Sequence, residues 1–227
     1  GVELPSVVGA AAPLQNVSDM KTRGWELSLN WHDNIGDVSY RVGFNLYDHK
    51  SKITKFNNAS GNLGSRYVGQ VLGEIWGYKA DGYYSIEDFD LDQARKDKWI
   101  LKEGVTSING TNPKPGDVKF LDLDGDGIIT TGENTLDKPG DRKIIGNSTA
   151  RYEFGANLSV SWRGLDLSMV LQGVGKRDVV LSGAALYPFA ANKSEGAFLP
   201  LYSNQTDYWT AKSYDPESPD YMVAANP

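Results

Sequence analysis

The stretch Tyr152-Glu153-Phe154-Gly155-Ala156-Asn157-Leu158-Ser159-Val160-Ser161-Trp162-Arg163-Gly164-Leu165-Asp166-Leu167-Ser168-Met169-Val170-Leu171 decides the fold class. Tyr152, Phe154, Ala156, Leu158, Val160 and Trp162 alternate with Glu153, Gly155, Asn157, Ser159 and Ser161. Successive side chains of a strand point to opposite faces, so this alternation makes a strand with one apolar and one polar face. Arg163-Gly164 supplies a tight turn. Leu165, Leu167, Met169 and Leu171 carry the apolar face back, with Asp166, Ser168 and Gln172 on the other side. The pattern predicts a β-hairpin over about residues 151–175.

The same design occurs upstream. Trp25, Leu27, Leu29 and Trp31 alternate with Glu26, Ser28 and Asn30. Turn chemistry follows between His32 and Asp37, in Asp33-Asn34 and Gly36-Asp37, and Val38, Tyr40, Val42, Phe44 and Leu46 then face one way. This predicts a second hairpin over about residues 22–53. Each strand runs about 10 residues, the length that crosses a bilayer at a tilt of about 45°, whereas a strand in a globular protein is more often about 5–6 residues.

Trp31 and Trp162 lie beside the turns, where an aromatic girdle meets a membrane interface. On pattern alone they fit equally well as core tryptophans of a β-sandwich. The connections separate the two readings. Both turns are short, while residues 54–150 and 176–227 are long excursions, which is the arrangement of an outer-membrane barrel. In such a barrel the strands from Val38 and from Tyr152 run in opposite directions, so an even number of crossings, zero included, lies between them. Within that interval Gln70–Tyr84 offers one or two strands and Glu87–Lys102 a short amphipathic helix. Asp215-Pro216-Glu217-Ser218-Pro219 reads as a turn-rich loop.

Composition narrows the function. The chain has 227 residues, 40% hydrophobic and 23% charged, a globular balance. Its 25 glycines, 10 prolines, six Trp, twelve Tyr and seven Phe favour strands and turns over helices. A net charge of −6, from 23 basic and 29 acidic residues, argues against nucleic acid as a partner. Cysteine is absent, which removes disulfides, thiolate metal sites and a cysteine nucleophile; only His32 and His49 offer imidazoles. No apolar run reaches the roughly 18 residues of a transmembrane helix, and barrel strands need none. The opening Gly1-Val2-Glu3-Leu4-Pro5 lacks an initiator Met and an apolar leader and reads as part of a longer polypeptide.

The motif with chemistry is Asp122-Leu123-Asp124-Gly125-Asp126-Gly127-Ile128-Ile129-Thr130-Thr131-Gly132-Glu133. Carboxylates stand at positions one, three and five, glycine at six, a β-branched residue at eight and glutamate at twelve, as in a calcium loop. A hard divalent cation takes about six to eight oxygens, and alternate side chains of a coiled loop converge on it. The predicted Ca²⁺ ligands are Asp122, Asp124, Asp126, the carbonyl of Ile128, and Glu133 closing the site, with Thr130 acting through water. The flanks Val118-Lys119-Phe120 and Lys143-Ile144-Ile145 look like strands, so the ion is expected to brace a loop and not to move a helix pair. Glu74, Glu87, Asp88, Asp90 and Asp92 form no catalytic motif, and no enzymatic activity is expected. Trp76, Tyr78, Tyr83, Tyr84 and Trp99 are candidates to stack on sugar rings or cover a peptide, with packing as their alternative.

Several stretches occur together in an order that resembles the SusC/RagA family of TonB-dependent outer-membrane transporters. They are Gln15-Asn16-Val17, Thr22-Arg23-Gly24-Trp25-Glu26-Leu27, Gly36-Asp37-Val38-Ser39-Tyr40 and Gly43-Phe44-Asn45-Leu46. Further on come Gly73-Glu74-Ile75-Trp76-Gly77-Tyr78-Lys79-Ala80-Asp81-Gly82, Gly116-Asp117-Val118-Lys119-Phe120 before the Asp-rich loop, Ile144-Ile145-Gly146-Asn147, and Gln172-Gly173-Val174-Gly175. The resemblance implies an all-β fold, with antiparallel hairpins from a transmembrane barrel of about 22 strands and long extracellular loops. Residues 1–227 then form part of such a barrel, with hairpins at about 22–53 and 151–175, an extracellular region at about 54–150 that holds the loop 122–133, and another at 176–227.

The resemblance also implies residence in the Gram-negative outer membrane and import of glycans or peptides with a SusD-like surface lipoprotein. TonB would engage through N-terminal parts outside these residues. In the family pattern an Asp-Arg pair follows the Asp-rich loop directly; here Asn134–Gly140 intervenes before Asp141-Arg142. That leaves Glu133 or Asp141 to close the metal site, and spacing favours Glu133. The alternative from another class is a secreted, calcium-stabilised β-sandwich that binds carbohydrate.

Overall fold

The computed structural model describes residues 18–182, 191–192, 197–198, 203, 206 and 208–225. The motif Gln15-Asn16-Val17 and much of the region after residue 182 lie outside them. The chain divides into two compact units. One is built from residues up to 75, 135–137 and 146–179, and the other from 76–134, 138–145 and residues from 180 onward.

The first unit carries the two expected hairpins. Strand β1 spans Ser18–Ile35, β2 Val38–Phe56, β9 Arg151–Trp162 and β10 Leu165–Lys176, in one antiparallel sheet of order β1-β2-β9-β10. Both reversals take two residues. Arg163 and Gly164 have φ of 47° and 86°, the paired positive values of a type I′ turn, whose twist matches the strands it joins. The upstream turn is narrower than its sequence suggests. His32–Ile35 are strand, paired with Val38–Arg41, and Gly36-Asp37 alone turns the chain. Asp33 and Asn34 have turn propensity, but the ladder bonds gained by continuing the strand outweigh it. Trp31 accordingly sits opposite Val42, with its indole N–H directed at the Tyr40 hydroxyl at 3.4 Å.

Register aligns the faces across all four strands. Leu29, Phe44, Ala156 and Leu171 form one rung, and Trp31, Val42, Leu158 and Met169 the rung of the same face nearer the turns. Between these two rungs lie Asn30, Gly43, Asn157 and Val170, polar except for Val170, and on either side of them lie the polar rungs Ser28, Asn45, Gly155 and Gln172, and His32, Arg41, Ser159 and Ser168. Val38 pairs directly with Trp162 and Leu46 with Phe154, so no strand of this sheet comes between β2 and β9. The excursion between them makes zero crossings, one of the values that strand direction permits.

The sheet is open, with β1 and β10 at its edges, and the described residues do not close into a barrel. Its apolar face is uncovered: Leu29 is 57% exposed, Trp31 63%, Leu165 67% and Leu167 62%. A β-sandwich would lay a second sheet on this face, and none lies there among the described residues. Burying one such side chain is worth about 1.5–3 kcal/mol, so a face of this size left in water forfeits a sum comparable to the whole stability of a domain.

Beyond Tyr47 the first hairpin outruns its neighbour β9. There Ser51 and Ile53 are buried on the polar-rung side, where residues 69–72 add backbone bonds from Ile53 N to Gln70 O and from Leu72 N to Ser51 O.

The short strands lie mostly in the second unit, which has an aromatic core. Strand β3 (Glu74–Tyr78) pairs with β8 (Arg142–Asn147), β4 (Ala80–Tyr83) with β6 (Val118–Phe120), and β5 (Ser107–Ile108) with β7 (Ile128–Ile129) in parallel. The helix expected over Glu87–Lys102 is much shorter. A 3₁₀ turn at Ile86–Asp88 is followed by α1, only Leu91–Ala94. Asp90 caps α1 by accepting from the amides of Asp92 and Gln93, and Asp97 reverses the chain at φ 57°. That reversal folds Trp99 onto Phe89 instead of prolonging the helix. Tyr84, Phe89, Ala94, Trp99 and Tyr221 form the buried cluster. Asp215–Ser218 closes as a turn, with Ser218 N donating to Asp215 O.

Candidate functional site

The Asp-rich loop lies between β6 and β7. Asp122 accepts the amides of Gly125 at 2.6 Å and Gly127 at 2.8 Å, one on each carboxylate oxygen. Gly127, at φ 82°, makes the turn expected at position six. Asp126 accepts the amide of Ile128 at 2.7 Å. Ile129, at position eight, is buried and anchors the loop through the parallel β5–β7 pairing.

The carboxylates that converge are Asp122, Asp124 and Asp141, whose oxygens lie within 4.8 Å of one another. Asp141 is fully buried and holds both sides of the loop, accepting Leu123 N at 2.8 Å on one oxygen and Thr130 N at 2.7 Å on the other. The intervening residues 131–140 loop out from a narrow neck. A Cβ on Gly132 would stand 2.5 Å from the Gly140 amide, so only glycine permits the approach. Arg142 closes the neck from Nη2 to Thr131 O and to Asn134 Oδ1, both at 2.9 Å. This excursion returns the chain so that Asp141 comes beside Asp122 and Asp124. Glu133 instead accepts Lys138 Nζ at 2.5 Å, with both side chains about two-thirds exposed.

Electrostatics separates the acids. Amide donation from Gly127 and Gly125 holds the Asp122 carboxyl below its ordinary range. Desolvation, followed by the charges of Asp126, Asp141 and Asp122, pushes Asp124 up. Three convergent carboxylates offer hard oxygen ligands, the donor set of Ca²⁺ or Mg²⁺ and not of a soft metal. Of the predicted ligands, Asp122 and Asp124 are brought together, while Asp126 and Glu133 lie outside the group. The signal for Asp141 was its place just before the Ile144-Ile145-Gly146 strand, not its distance from the loop.

The aromatic candidates divide by burial. Tyr84 and Trp99 are 1% and 8% exposed, and their polar atoms are spent internally, Tyr84 Oη on Thr106 O and Trp99 Nε1 on Asp97 Oδ1. Trp99 meets Phe89 edge-on at 5.6 Å and stacks on Tyr221 at 6.4 Å. These two are core residues with no free ring face. Tyr78 is half-buried with its ring 5.3 Å from that of Phe120, Trp76 is half-buried, and Tyr83 is exposed. Among the acids weighed for catalysis, Glu74 accepts Tyr67 Oη and Val71 N, and Asp88 and Asp90 cap the turn and α1.

An open sheet with one apolar and one polar face, with short turns and a long excursion between adjacent strands, has the strand pattern of membrane barrels. The chain is similar to TonB-dependent receptors. It is 27% identical over 183 residues to TonB-dependent receptor P3 of Formosa agariphila, covering 74% of this chain and 16% of that protein. It is 25% identical over 182 residues to TonB-dependent receptor P26 of the same organism, covering 78% of this chain and 17% of that protein. The chain thus spans about one sixth of the length of the curated relatives it matches. No protein-family model matches it.

Proposed function

We propose that the chain is a wall segment and surface region of a TonB-dependent outer-membrane transporter of the SusC/RagA type, importing glycans or peptides. One observation carries the reading: apolar and polar rungs alternate in register across β1, β2, β9 and β10. The apolar rungs face lipid and the polar rungs face the lumen, and neighbouring strands pair with β1 and β10 to complete a barrel of about 22 strands. From the Val38–Trp162 pair to Asp48, opposite Trp25, is ten residues along β2. At about 3.4 Å per residue and a tilt near 45° this spans about 24 Å, the height of the apolar band of such barrels. The tight turns mark the periplasmic end and the second unit lies outside the cell.

A SusD-like lipoprotein covers the outer opening, and TonB supplies energy through parts of the protein beyond these residues. Ca²⁺ sits among Asp122, Asp124 and Asp141, with the Ile128 carbonyl, Asp126 and Glu133 available to complete its shell, and it braces the surface loop. Trp76, Tyr78 and Tyr83 are the aromatic residues in reach of a substrate.

The test is fractionation of cells producing the full-length protein. It is expected to sediment with the outer membrane, to resist carbonate extraction and to change electrophoretic mobility on heating, as folded barrels do. Recovery in the soluble or secreted fraction would refute the reading. Purification in mild detergent is expected to bring a surface lipoprotein with it.

A further inference from the structure

The hairpin β1–β2 continues past the apolar band, and its outward face changes character there. Arg23 pairs directly across the ladder with Lys50, and Lys21 with Lys52. These four share the face of Trp25, Leu27 and Leu29, because the β1–β2 register runs unbroken from Met20 to Ile35. All four are exposed, whereas Ser51 and Ile53 on the reverse face are buried. Like charges directly opposite one another destabilise a ladder, and here two consecutive rungs of one face carry them.

Among the described residues none of the four cations has a carboxylate within ion-pair distance. Asp48, one rung toward the band, is committed to Arg151, and Asp19 stands opposite Lys55 at the far end. The cluster begins one rung beyond Trp25, at the height where the headgroups of the outer leaflet lie if the sheet is a barrel wall.

We infer that Lys21, Arg23, Lys50 and Lys52 form a docking surface for the phosphate groups of anionic lipid headgroups in the outer leaflet. This rests on the barrel reading. Two rungs of paired cations, about 7 Å apart along the strand, match a headgroup that carries more than one phosphate. Arg23 offers a planar fork to phosphate, and the three lysines act as point charges. Such a lipid relieves the like-charge rungs and binds the extension to the membrane surface. Each cation near an anionic surface strengthens binding roughly fivefold, so removal of four weakens it by at least about a hundredfold.

The experiment uses the full-length protein in detergent and in vesicles of phosphatidylcholine, alone or mixed with a bisphosphorylated glycolipid of the lipid A type. Lys21→Gln, Arg23→Gln, Lys50→Gln and Lys52→Gln are combined in one variant, and Lys96→Gln, Lys98→Gln and Lys102→Gln in a control. Native mass spectrometry is expected to show glycolipid retained by the wild type and the control and lost from the first variant. The glycolipid should raise the thermal midpoint of the wild type only, and less so at high salt. Heat-modifiable mobility checks that each variant is a folded barrel. Equal retention by both variants would overturn the inference while leaving the barrel intact. Displacement of the glycolipid by millimolar inorganic phosphate would also overturn it, because the surface would then be a site for soluble anions. Failure of the wild type to enter the outer membrane would instead refute the barrel reading.

Discussion

Arg151 on β9 donates from Nε and Nη2 to the two carboxylate oxygens of Asp48 on β2, at 2.5 and 2.6 Å, joining residues 103 positions apart. Asp48 is buried and is the first residue beyond the ten that span the proposed membrane band from Val38. Next to it Tyr152, at φ 55°, interrupts the β9 ladder, so the fork reaches Asp48 where regular pairing with β9 ends. The pair fastens the base of the long excursion where it leaves the sheet.

The fork sets a pH response. Hydrogen bonding from Arg151 holds the Asp48 carboxyl down to about 2, against about 3.9 for a free aspartate. A depressed pKa contributes stability that is fully present above the unfolded value and is lost as pH falls through the folded one. Amide protection at Tyr47–His49, taken relative to the intrinsic exchange rate at each pH, is therefore expected to be steady above about pH 4 and to fall between about pH 4 and 2. Arg151→Gln should lower that protection at neutral pH and remove the acid step; an unchanged step would show that another group causes it.

Charge on the lipid face should cost more than charge on the lumen face. Leu29→Arg, near the middle of the apolar band, is expected to lower unfolding stability in lipid by about 2–4 kcal/mol. Asn157→Arg, on a polar rung, should cost much less. Equal costs would mean that the two faces meet the same environment.

Metal binding distinguishes the two acids that compete to close the loop. Asp122→Asn with Asp141→Asn is expected to weaken Ca²⁺ binding by roughly a hundredfold or more in calorimetry, because affinity follows the number of charged ligands. Glu133→Gln should weaken it only a few-fold, since Glu133 lies outside the converged group. A reversed order would make Glu133 the closing ligand. The hairpins should remain folded in all these variants.

Phe89→Ala removes the ring at the centre of the aromatic cluster and should cost the second unit about 3–5 kcal/mol. Trp99→Ala should likewise loosen that unit, which differential exchange can follow. Tyr83→Ala, exposed and packed against nothing in the core, should leave stability unchanged and report on substrate alone.

The rungs were legible in the residues because a period of two is a local property: Leu27, Phe44, Leu158 and Leu167 show it without knowledge of their partners. The strand ends were less legible. Asn34 looks like a turn residue, and only the ladder that pairs it with Ser39 makes it strand. The helix proposed for Glu87–Lys102 failed for a related reason, since Phe89 and Trp99 gain more by meeting in the core than by continuing a helix. Asp141 was legible as an alternative but not as the convergent acid. Its position depends on the neck between Gly132 and Gly140, a contact between backbones that no spacing rule contains. Tyr84 and Trp99 share the composition of a sugar-stacking surface, and burial alone separates them from Tyr83.

The central claim is that one face of this sheet meets lipid and the other a lumen. Single cysteines placed one at a time from Val38 to Tyr47 in the full-length protein, which within these residues has no cysteine of its own, can be labelled in isolated outer membranes with a bilayer-soluble probe quenched by spin-labelled lipid. Strong quenching at Val38, Tyr40, Val42, Phe44 and Leu46, and weak quenching at Ser39, Arg41, Gly43, Asn45 and Tyr47, is the expected result. Quenching without a period of two, or none at any position, would contradict the barrel wall.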